Sequence, residues 1–497
     1  MKSGSSILTS VVLLAVLVLP VQLPAQHTGY KLIDIGTLGG PASYFTDPGV
    51  GPQTYVLNNR GMLTGKAELA TPDPNNGNCP PACFVTHAFR WDKGVVSDLG
   101  TLPGGTNSDI GGINARGWIT GGSETITDSG VQFHAVLWED TRTMDLGTLR
   151  TGQNSVGVHI NNSGQVVGLS EIDTSFDPFG IGGGSIHPFL WQNGFMRDLG
   201  TLYTGPDAFP GDQCGSERNN LVAGSSFIDT VANPNTGVPT AHAFLWDDGT
   251  MIDVGNLGGT IVEVDPGVCP NDRGQVAGTA SLQGDTLEHA FLWDHGVMTD
   301  LGTLPGGNFS QMQWLNNAGD VVGGSTLADD QLFHATLWRN GAITDLGTTG
   351  DDCFSVALSM NASDQTVGIS WNCDFSVARA VLWDKGKVLD LNTVVGTNAA
   401  LTLVEGRNIN DRGEISGRGL PPGCDDVDAC GHDFVLIPCA NATPCNNDVG
   451  KQVVPSLAQK KNERTFADHT LAAHSIQTWR KKYSGLIPRR QIPPFKR

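Results

Sequence analysis

A histidine recurs along this chain, and an aspartate follows each copy of it at the same distance. The histidine begins the pentapeptide HAFLW or a close variant, and the aspartate begins D-L-G-T or a close variant. The histidines are His87, His134, His187, His242, His289 and His334, and the aspartates are Asp98, Asp145, Asp198, Asp253, Asp300 and Asp345. Imidazole and carboxylate groups could act as general bases or metal ligands. Catalysis needs one constellation in one place, however. A pair present in repeat after repeat is therefore predicted to be a hydrogen-bonded packing element within each repeat.

The ten cysteines fit an oxidising compartment and disulfide bonds. Cys353 and Cys373 lie almost symmetrically about a predicted turn at residues 361–364, so they could face each other across a hairpin. Short spacings relate Cys79 to Cys83, Cys424 to Cys430 and Cys439 to Cys445, which leaves Cys214 and Cys269. Zinc is the alternative, but the spacings contain no paired C-x-x-C and no histidine pair accompanies them. Disulfides are therefore favoured over metal.

Motifs of known chemistry are missing from the sequence. It contains no G-x-S-x-G, no H-E-x-x-H and no phosphate-binding loop. The acidic run at residues 424–428 lacks the D-x-D-x-D-G spacing of a calcium loop. We therefore predict no catalytic residue, no metal site and no cofactor.

The elements that position these residues also repeat. A motif of the form I-N-x-x-G-x-V-x-G, as in INNSGQVVG at residues 160–168, occurs eight times, with degraded copies beginning at Ser216 and Met360. Asparagine can bond the backbone two residues on, and glycine tolerates a positive φ, so each copy is predicted to form a type I hairpin turn with a bulge. The stretches on either side of this turn, HAFLW and D-L-G-T are each predicted to be a strand. Four short antiparallel strands in about 50 residues are typical of a propeller blade.

The number of elements predicts how the blades close. There are eight turns and eight HAFLW strands, but eight D-L-G-T strands only if the isolated copy at residues 34–37 is included. The last blade, at residues 401–437, ends after its third strand, so residues 30–37 are predicted to complete it. The predicted fold class is therefore all-β. It is an eight-bladed β-propeller of four-stranded blades, closed by an N-terminal strand that completes the last blade.

The alternation of HAFLW-x-x-G-x-x-x-D-L-G-T-L-x-G with I-N-x-x-G-x-V-x-G resembles the extracellular HAF repeat family over nearly all of residues 31–437. The resemblance implies export and a repeat architecture. It implies no substrate, no catalytic residue and no cofactor.

Positions that break the repeat are the candidates for ligand binding. In a four-stranded meander, the connections after the second and fourth strands emerge at the same end, and those are the connections whose lengths vary here. The innermost strand also changes from copy to copy just before each turn. The predicted ligand-binding residues are Asp109, His159, Glu263, Trp314 and Glu405. The alternative is that these side chains only fill the mouth of the channel.

Charge and hydropathy divide the chain into three segments. Residues 1–25 have the positive start and apolar run of a signal peptide, residues 26–445 carry the eight repeats, and residues 446–497 are a basic tail predicted to be partly helical or disordered. Before residue 446 there are 19 Lys and Arg against 47 Asp and Glu, and from residue 446 there are 11 against 3. The acidic body disfavours nucleic acid, which needs a basic surface. No later segment is apolar enough to cross a membrane, so only the tail is expected to contact an anionic surface.

These observations favour a secreted protein, extracellular or periplasmic, that binds or scaffolds and does not catalyse. We expect a monomer whose partner is a polysaccharide, a cell-envelope component or another protein, held on the face with the long variable loops. The alternative is an extracellular propeller enzyme, a glycosidase or lyase, that uses carboxylates such as Asp109, Glu263 or Glu405 on a polysaccharide.

Overall fold

The structure is a computed structural model that describes residues 29–45, 55–73, 84–140, 142–174, 185–203, 214–216, 220–234, 236–237, 239–264, 269–396 and 399–439. The predicted signal peptide at residues 1–25 and the basic tail at residues 446–497 lie outside these residues. Cys79, Cys83 and Cys445 lie outside them as well.

Short β-strands make up almost all of the described secondary structure. In chain order they are β1 (Tyr30–Gly36), β2 (Gly39–Tyr44), β3 (Leu63–Pro72), β4 (Phe84–Asp92), β5 (Val95–Asp98), β6 (Ser108–Ile113), β7 (Ile119–Thr127), β8 (Gly130–Glu139), β9 (Arg142–Gly147), β10 (Ser155–Ile160), β11 (Val166–Glu171), β12 (Ile186–Gln192), β13 (Phe195–Asp198), β14 (Cys214–Gly215), β15 (Leu221–Phe227), β16 (Ala241–Asp247), β17 (Thr250–Asp253), β18 (Gly258–Glu263), β19 (Val276–Leu282), β20 (Glu288–Asp294), β21 (Val297–Asp300), β22 (Ser310–Leu315), β23 (Val321–Thr326), β24 (Phe333–Arg339), β25 (Ala342–Asp345), β26 (Phe354–Met360), β27 (Thr366–Trp371), β28 (Ala378–Asp384), β29 (Lys387–Asp390), β30 (Thr402–Ile409), β31 (Ile415–Leu420) and β32 (His432–Pro438). One helix, α1 (Val427–Cys430), and two 3₁₀ turns, Ala328–Asp330 and Leu391–Thr393, accompany them. Within the described part of the chain, no helix is long and apolar enough to span a bilayer.

Consecutive strands form antiparallel four-stranded sheets, as predicted. The sheets β2–β5, β6–β9 and β10–β13 each have this order. Two larger sheets, β14–β21 and β22–β29, each contain two such four-stranded groups, joined by one parallel pairing, of Ala241 with Ile261 and of Phe333 with Phe354 respectively. The all-β class and the four-stranded, blade-like sheets are therefore confirmed.

The N-terminal strand belongs to the sheet made by the end of the repeat region. That sheet has the order β1-β32-β31-β30. Tyr30 lies opposite Pro438, and Asp34 lies opposite Phe434. The pairing of residues 30–37 with the third strand of the last repeat is thus the one that the sequence predicts.

The recurrent turn has the predicted geometry. The amide of Gly61 donates to the carbonyl of Asn58 at 3.0 Å, and Gly61 has a φ of +79°. The side-chain oxygen of Asn58 accepts from the amides of Arg60 at 2.9 Å and Met62 at 3.0 Å. The same side-chain bonds recur at Asn114, Asn161, Asn271, Asn316, Asn361 and Asn410. The asparagine therefore holds its own turn in the conformation that the next strand requires.

The turn asparagines also join one copy to the next. The side-chain amide of Asn58 donates to the carbonyl of Asn114 at 2.9 Å, and that of Asn114 donates to the carbonyl of Asn161 at 3.0 Å. Asn410, in the last copy, donates to the carbonyl of Asn58, in the first, at 3.0 Å. The remaining bonds of this asparagine ladder run from Asn161 to Ser216, from Asn271 to Asn316 and from Asn361 to Asn410. Sequence reasoning found only the local role of these residues.

The glycine that ends each turn motif is required by close packing of the innermost strand. A Cβ on Gly121 of β7 would lie 1.9 Å from the carbonyl oxygen of Asp109 on β6. A Cβ on Gly278 of β19 would lie 2.0 Å from the carbonyl oxygen of Glu263 and 2.7 Å from the Phe291 ring. The Phe of each intact HAFLW strand fills this space, and the ones with 0% exposure are Phe89, Phe189, Phe244 and Phe291. The motifs therefore specify one packed unit.

Candidate functional site

Each recurrent histidine is bonded to the aspartate that follows it. The shortest of these contacts joins Nδ1 of His187 to Oδ1 of Asp198 at 2.7 Å. The other pairs, at 2.9 to 3.0 Å, are His87 with Asp98, His134 with Asp145, His242 with Asp253, His289 with Asp300 and His334 with Asp345. In the last sheet, His432 takes Asp34 of the N-terminal strand as its partner at 3.0 Å. The predicted role of a bonded packing element is therefore confirmed.

These contacts hold the aspartates as anions. Burial raises the pKa of Asp198, but the His187 ring, the amide of Gly200 and the charge of Arg150 lower it by more, so it lies below its usual range. The same balance lowers the pKa of Asp98, Asp145, Asp253 and Asp345. A carboxylate with a lowered pKa is a poor proton carrier near neutral pH. The repeated pairs therefore join the third and fourth strands of each repeat through a histidine and an ionised aspartate.

Two of the predicted ligand-binding residues, on separate sheets, contact the same tyrosine. The ring of Tyr55 lies with its centroid 5.0 Å from that of His159 and 5.0 Å from that of Trp314. His159 is 2% exposed, and Trp314 is half-buried. We call Tyr55, His159 and Trp314 the central aromatic cluster. The sequence analysis did not single out Tyr55, although it lies just before the first L-N-N turn.

Three disulfides lie within the described residues. They join Cys214 to Cys269, Cys353 to Cys373 and Cys424 to Cys430, with Cα–Cα distances of 4.6, 4.8 and 5.7 Å. The local pairs Cys353–Cys373 and Cys424–Cys430 are therefore confirmed, and the two cysteines that remained, Cys214 and Cys269, are bonded to each other. Cys439 is disulfide-bonded as well.

Two of the predicted ligand-binding carboxylates, Asp109 and Glu405, belong to ion pairs. Nζ of Lys66 lies 2.9 Å from Oδ2 of Asp109, and the Lys66 side chain is 2% exposed. Glu405 forms an ion pair with Arg407 on the same strand. Lys66, the cross-strand partner of Tyr44 in the same sheet, and Arg418 of another sheet lie 5.8 and 5.7 Å from the centroid of the Tyr44 ring.

We call Lys66, Asp109, Glu405, Arg407, Arg418 and Asp433 the charged seam; they lie on the sheet formed by β1 with the last repeat and on the sheets of the first two repeats. Asp433 of β32 would contact a Cβ on Gly65 of β3 at 2.7 Å. Arg418 also donates to Asp428 of α1 at 2.8 Å. The charged seam thus connects strands from the two ends of the repeat region, and Arg418 also connects it to α1.

Three members of the charged seam are departures from the repeat. The residue after the glycine that ends each turn motif is Gly122, Leu169, Ser225, Thr279, Gly324 or Ile369 in six copies, but Lys66 in the first and Arg418 in the last. Asp433 stands where the intact copies have the alanine of HAFLW. It is 0% exposed, and neither carboxylate oxygen has a hydrogen-bond partner among the described residues. Burial therefore raises the pKa of Asp433 well above its usual value, and Arg418 offsets this only in part.

Glu263 occupies the same position on its strand as Asp109 and Glu405. Glu263 pairs with Thr279, Asp109 with Gly122 and Glu405 with Arg418, each directly after the glycine of its turn motif. Glu263 is half-buried at the end of β18. The structure thus brings His159 and Trp314 together around Tyr55, and it places Asp109, Glu263 and Glu405 at matching points of three sheets.

Glu288 is a carboxylate that sequence reasoning did not single out. It begins β20, directly before His289. Burial raises its pKa to about 7, with a further contribution from the charge of Asp285. A carboxyl group that titrates near neutral pH can act as a general acid. No motif marks it in the sequence, because the shift depends on how the hairpin before β20 packs.

A separate open cavity of about 880 Å³ lies at the opposite end of the strands, beside the turns. Its polar lining includes Asp247, Asp248, Asp272, Arg273 and His295. Turns and short links form this cavity, which is an alternative to the charged seam as the location of a ligand.

No protein-family model matches the chain, and no curated protein matches it. Among solved structures, the chain is similar to the β-propeller domain of the Trilobed protease from Pyrococcus furiosus, with 8% identity and a TM-score of 0.40 over 73% of this chain and 100% of that one. It is also similar to dipeptidyl peptidase 4 from Porphyromonas gingivalis, with 8% identity and a TM-score of 0.44 over 80% of this chain and 65% of that one. TolB from Acinetobacter baumannii has 10% identity and a TM-score of 0.31 over 76% of this chain and 79% of that one. At such identities and TM-scores, these similarities carry no argument about activity.

Proposed function

We propose that this protein is a secreted, non-catalytic binding or scaffold protein of the HAF repeat type, built as a closed eight-bladed propeller. The pairing of β1 with β32 and the bond from Asn410 to Asn58 support the closed ring. The three disulfides support an oxidising compartment, extracellular or periplasmic. The HAF resemblance rests on the repeated motifs and remains part of the proposal.

The charged seam is the observation on which the binding function rests. A buried charge is costly unless it is paired and hydrogen-bonded. The other copies show that the fold accepts Gly or Thr at the position of Lys66 and Arg418, and Ala at that of Asp433. Costly charges that the fold does not require are typical of a functional site. The ligand is therefore proposed to bind at this end of the strands, near Asp109.

The chemistry of the seam indicates the class of ligand. It combines acceptors, on Asp109 and Glu405, with donors, on Lys66 and two arginines. A hydroxyl group both donates and accepts, so a hydroxyl-rich polysaccharide matches this mixture. An envelope component or a protein is the other partner class.

An extracellular propeller enzyme acting on polysaccharide is the second candidate function. Asp109 and Glu405 are each paired with a basic group. Glu288, whose pKa lies at about 7, is the observation that favours this candidate.

A screen of immobilised polysaccharides, scored for both retention and released product, tests these two functions. We expect retention without product release, and loss of retention in Asp109→Asn and Glu405→Gln. Asp248→Asn, at the opposite end of the strands, is the matched control and should keep retention. Circular dichroism checks that each variant is folded. Release of product that disappears in Glu288→Gln would replace the binding function with the enzyme.

A further inference from the structure

A histidine lies beside one of the disulfides. The ring nitrogen of His159 and the Sγ atoms of Cys214 and Cys269 all lie within 4.8 Å of one another, and all three residues are buried. In the described part of the chain, no other group of three His, Cys, Asp or Glu residues is arranged in this way. The sequence does not predict the group, because the three residues come from different repeats.

This group has the donor set of a zinc site. Zinc binds imidazole nitrogen at about 2.0 Å and thiolate sulfur at about 2.3 Å in tetrahedral geometry, which places its ligands about 3.7 Å apart. The imidazole nitrogen lies within 4.8 Å of both sulfur atoms, which are joined in the disulfide and would have to separate to about 3.7 Å once the bond is reduced. A neutral imidazole and two thiolates around Zn²⁺ carry no net charge, which suits a buried position.

We propose that Cys214, Cys269 and His159 form a redox-gated zinc site, of which the disulfide is the oxidised, metal-free state. A dithiol reductant supplies two electrons and two protons to the S–S bond and is itself oxidised to a disulfide. The two thiols that form lose their protons when Zn²⁺ binds to their sulfur atoms. Reoxidation reverses these steps and expels the metal.

The location of the group means that the disulfide and the zinc ion would each link the same two repeats. Cys214 and Cys269 are 55 residues apart and join neighbouring repeats, whereas Cys353 and Cys373 are 20 apart and join the two strands of one hairpin. A zinc ion shared by Cys214 and Cys269 would keep the two repeats joined when the disulfide is reduced. The Tyr55 ring packs against His159 and limits which further ligand can reach the metal.

Cobalt titration of the full-length protein tests the proposal. After anaerobic reduction with a phosphine, we expect one equivalent of Co²⁺ to produce sulfur-to-cobalt charge-transfer absorption, which Zn²⁺ then displaces. The oxidised protein should not produce it. The double variant Cys214→Ser/Cys269→Ser should lose it, and the matched variant Cys353→Ser/Cys373→Ser should keep it. His159→Ala should weaken cobalt binding at least about tenfold.

A second measurement does not depend on any variant. X-ray absorption of the zinc-loaded, reduced wild-type protein should show two sulfur ligands and at least one imidazole nitrogen. The proposal is overturned if the reduced protein shows no sulfur-to-cobalt absorption, if His159→Ala binds cobalt like the wild type, or if the zinc has no imidazole ligand.

Discussion

The N-terminal strand offers a direct test of ring closure. Tyr30 and Ile35 of β1 are 2% and 1% exposed. Replacing a fully buried isoleucine with alanine costs about 2 to 5 kcal/mol, so Ile35→Ala should lower the free energy of unfolding by about 3 kcal/mol. Lys31, on the same strand, is exposed, and Lys31→Ala should change it by less than about 0.5 kcal/mol.

Removing the strand altogether should have a larger effect. Deletion of residues 26–40 removes two buried aromatic and aliphatic side chains, worth about 1.5 to 3 kcal/mol each, together with the cross-strand hydrogen bonds to β32. It also exposes the edge of β32, which another chain can then pair with. We expect a lower urea midpoint and the appearance of oligomers in light scattering, and a synthetic peptide of residues 26–40 should restore the monomer. A truncated protein that stays monomeric with an unchanged midpoint would refute the closure argument.

Two further substitutions test the repeat unit itself. His187→Gln and Asp198→Asn should each destabilise the protein, and a double-mutant cycle should give a coupling energy of roughly 1 to 2 kcal/mol at neutral pH. Because the pKa of Asp198 is lowered on folding, this coupling should be present above the unfolded aspartate pKa of about 3.9 and disappear as the pH falls through the lower folded value. A coupling energy that stays constant as the pH falls would contradict the assignment. Gly121→Ala should lower the melting temperature sharply, because its Cβ would lie 1.9 Å from a backbone oxygen, whereas Gly112→Ala, with its nearest contact at 3.6 Å, should not. Equal melting temperatures for these two variants would show that the backbone around Gly121 can move to accept a Cβ at little cost, which would refute the packing argument.

The sequence predicts features that depend on local spacing. The turn asparagines, the His–Asp pairs and the local disulfides all follow from residues that lie close together in the chain, and the structure contains them. The count of D-L-G-T elements also predicted the partner of β1, because the last repeat has only three strands and its third strand would otherwise be left with an unpaired edge.

What the sequence left out depends on contacts between distant residues. His159 lies beside the Cys214–Cys269 disulfide only because two other repeats bring the cysteines to it. In the sequence Lys66 and Arg418 look like ordinary charged residues. Only the fold places both of them against the ring of Tyr44. The pKa of Glu288 depends on burial, which no single-residue pattern records.

The asparagine ladder bears on how this chain tolerates mutation over time. Each bond takes its donor from a side chain and its acceptor from the backbone of the next copy. A substitution can remove the donor, but every residue type has a backbone carbonyl, so the acceptor persists. The copy that begins at Ser216 has Glu217 in place of asparagine, and Asn161 still donates to the Ser216 carbonyl, at 3.4 Å. The bond into this degraded copy therefore depends on its backbone and not on its side chains, so side-chain substitutions can accumulate there without removing the acceptor.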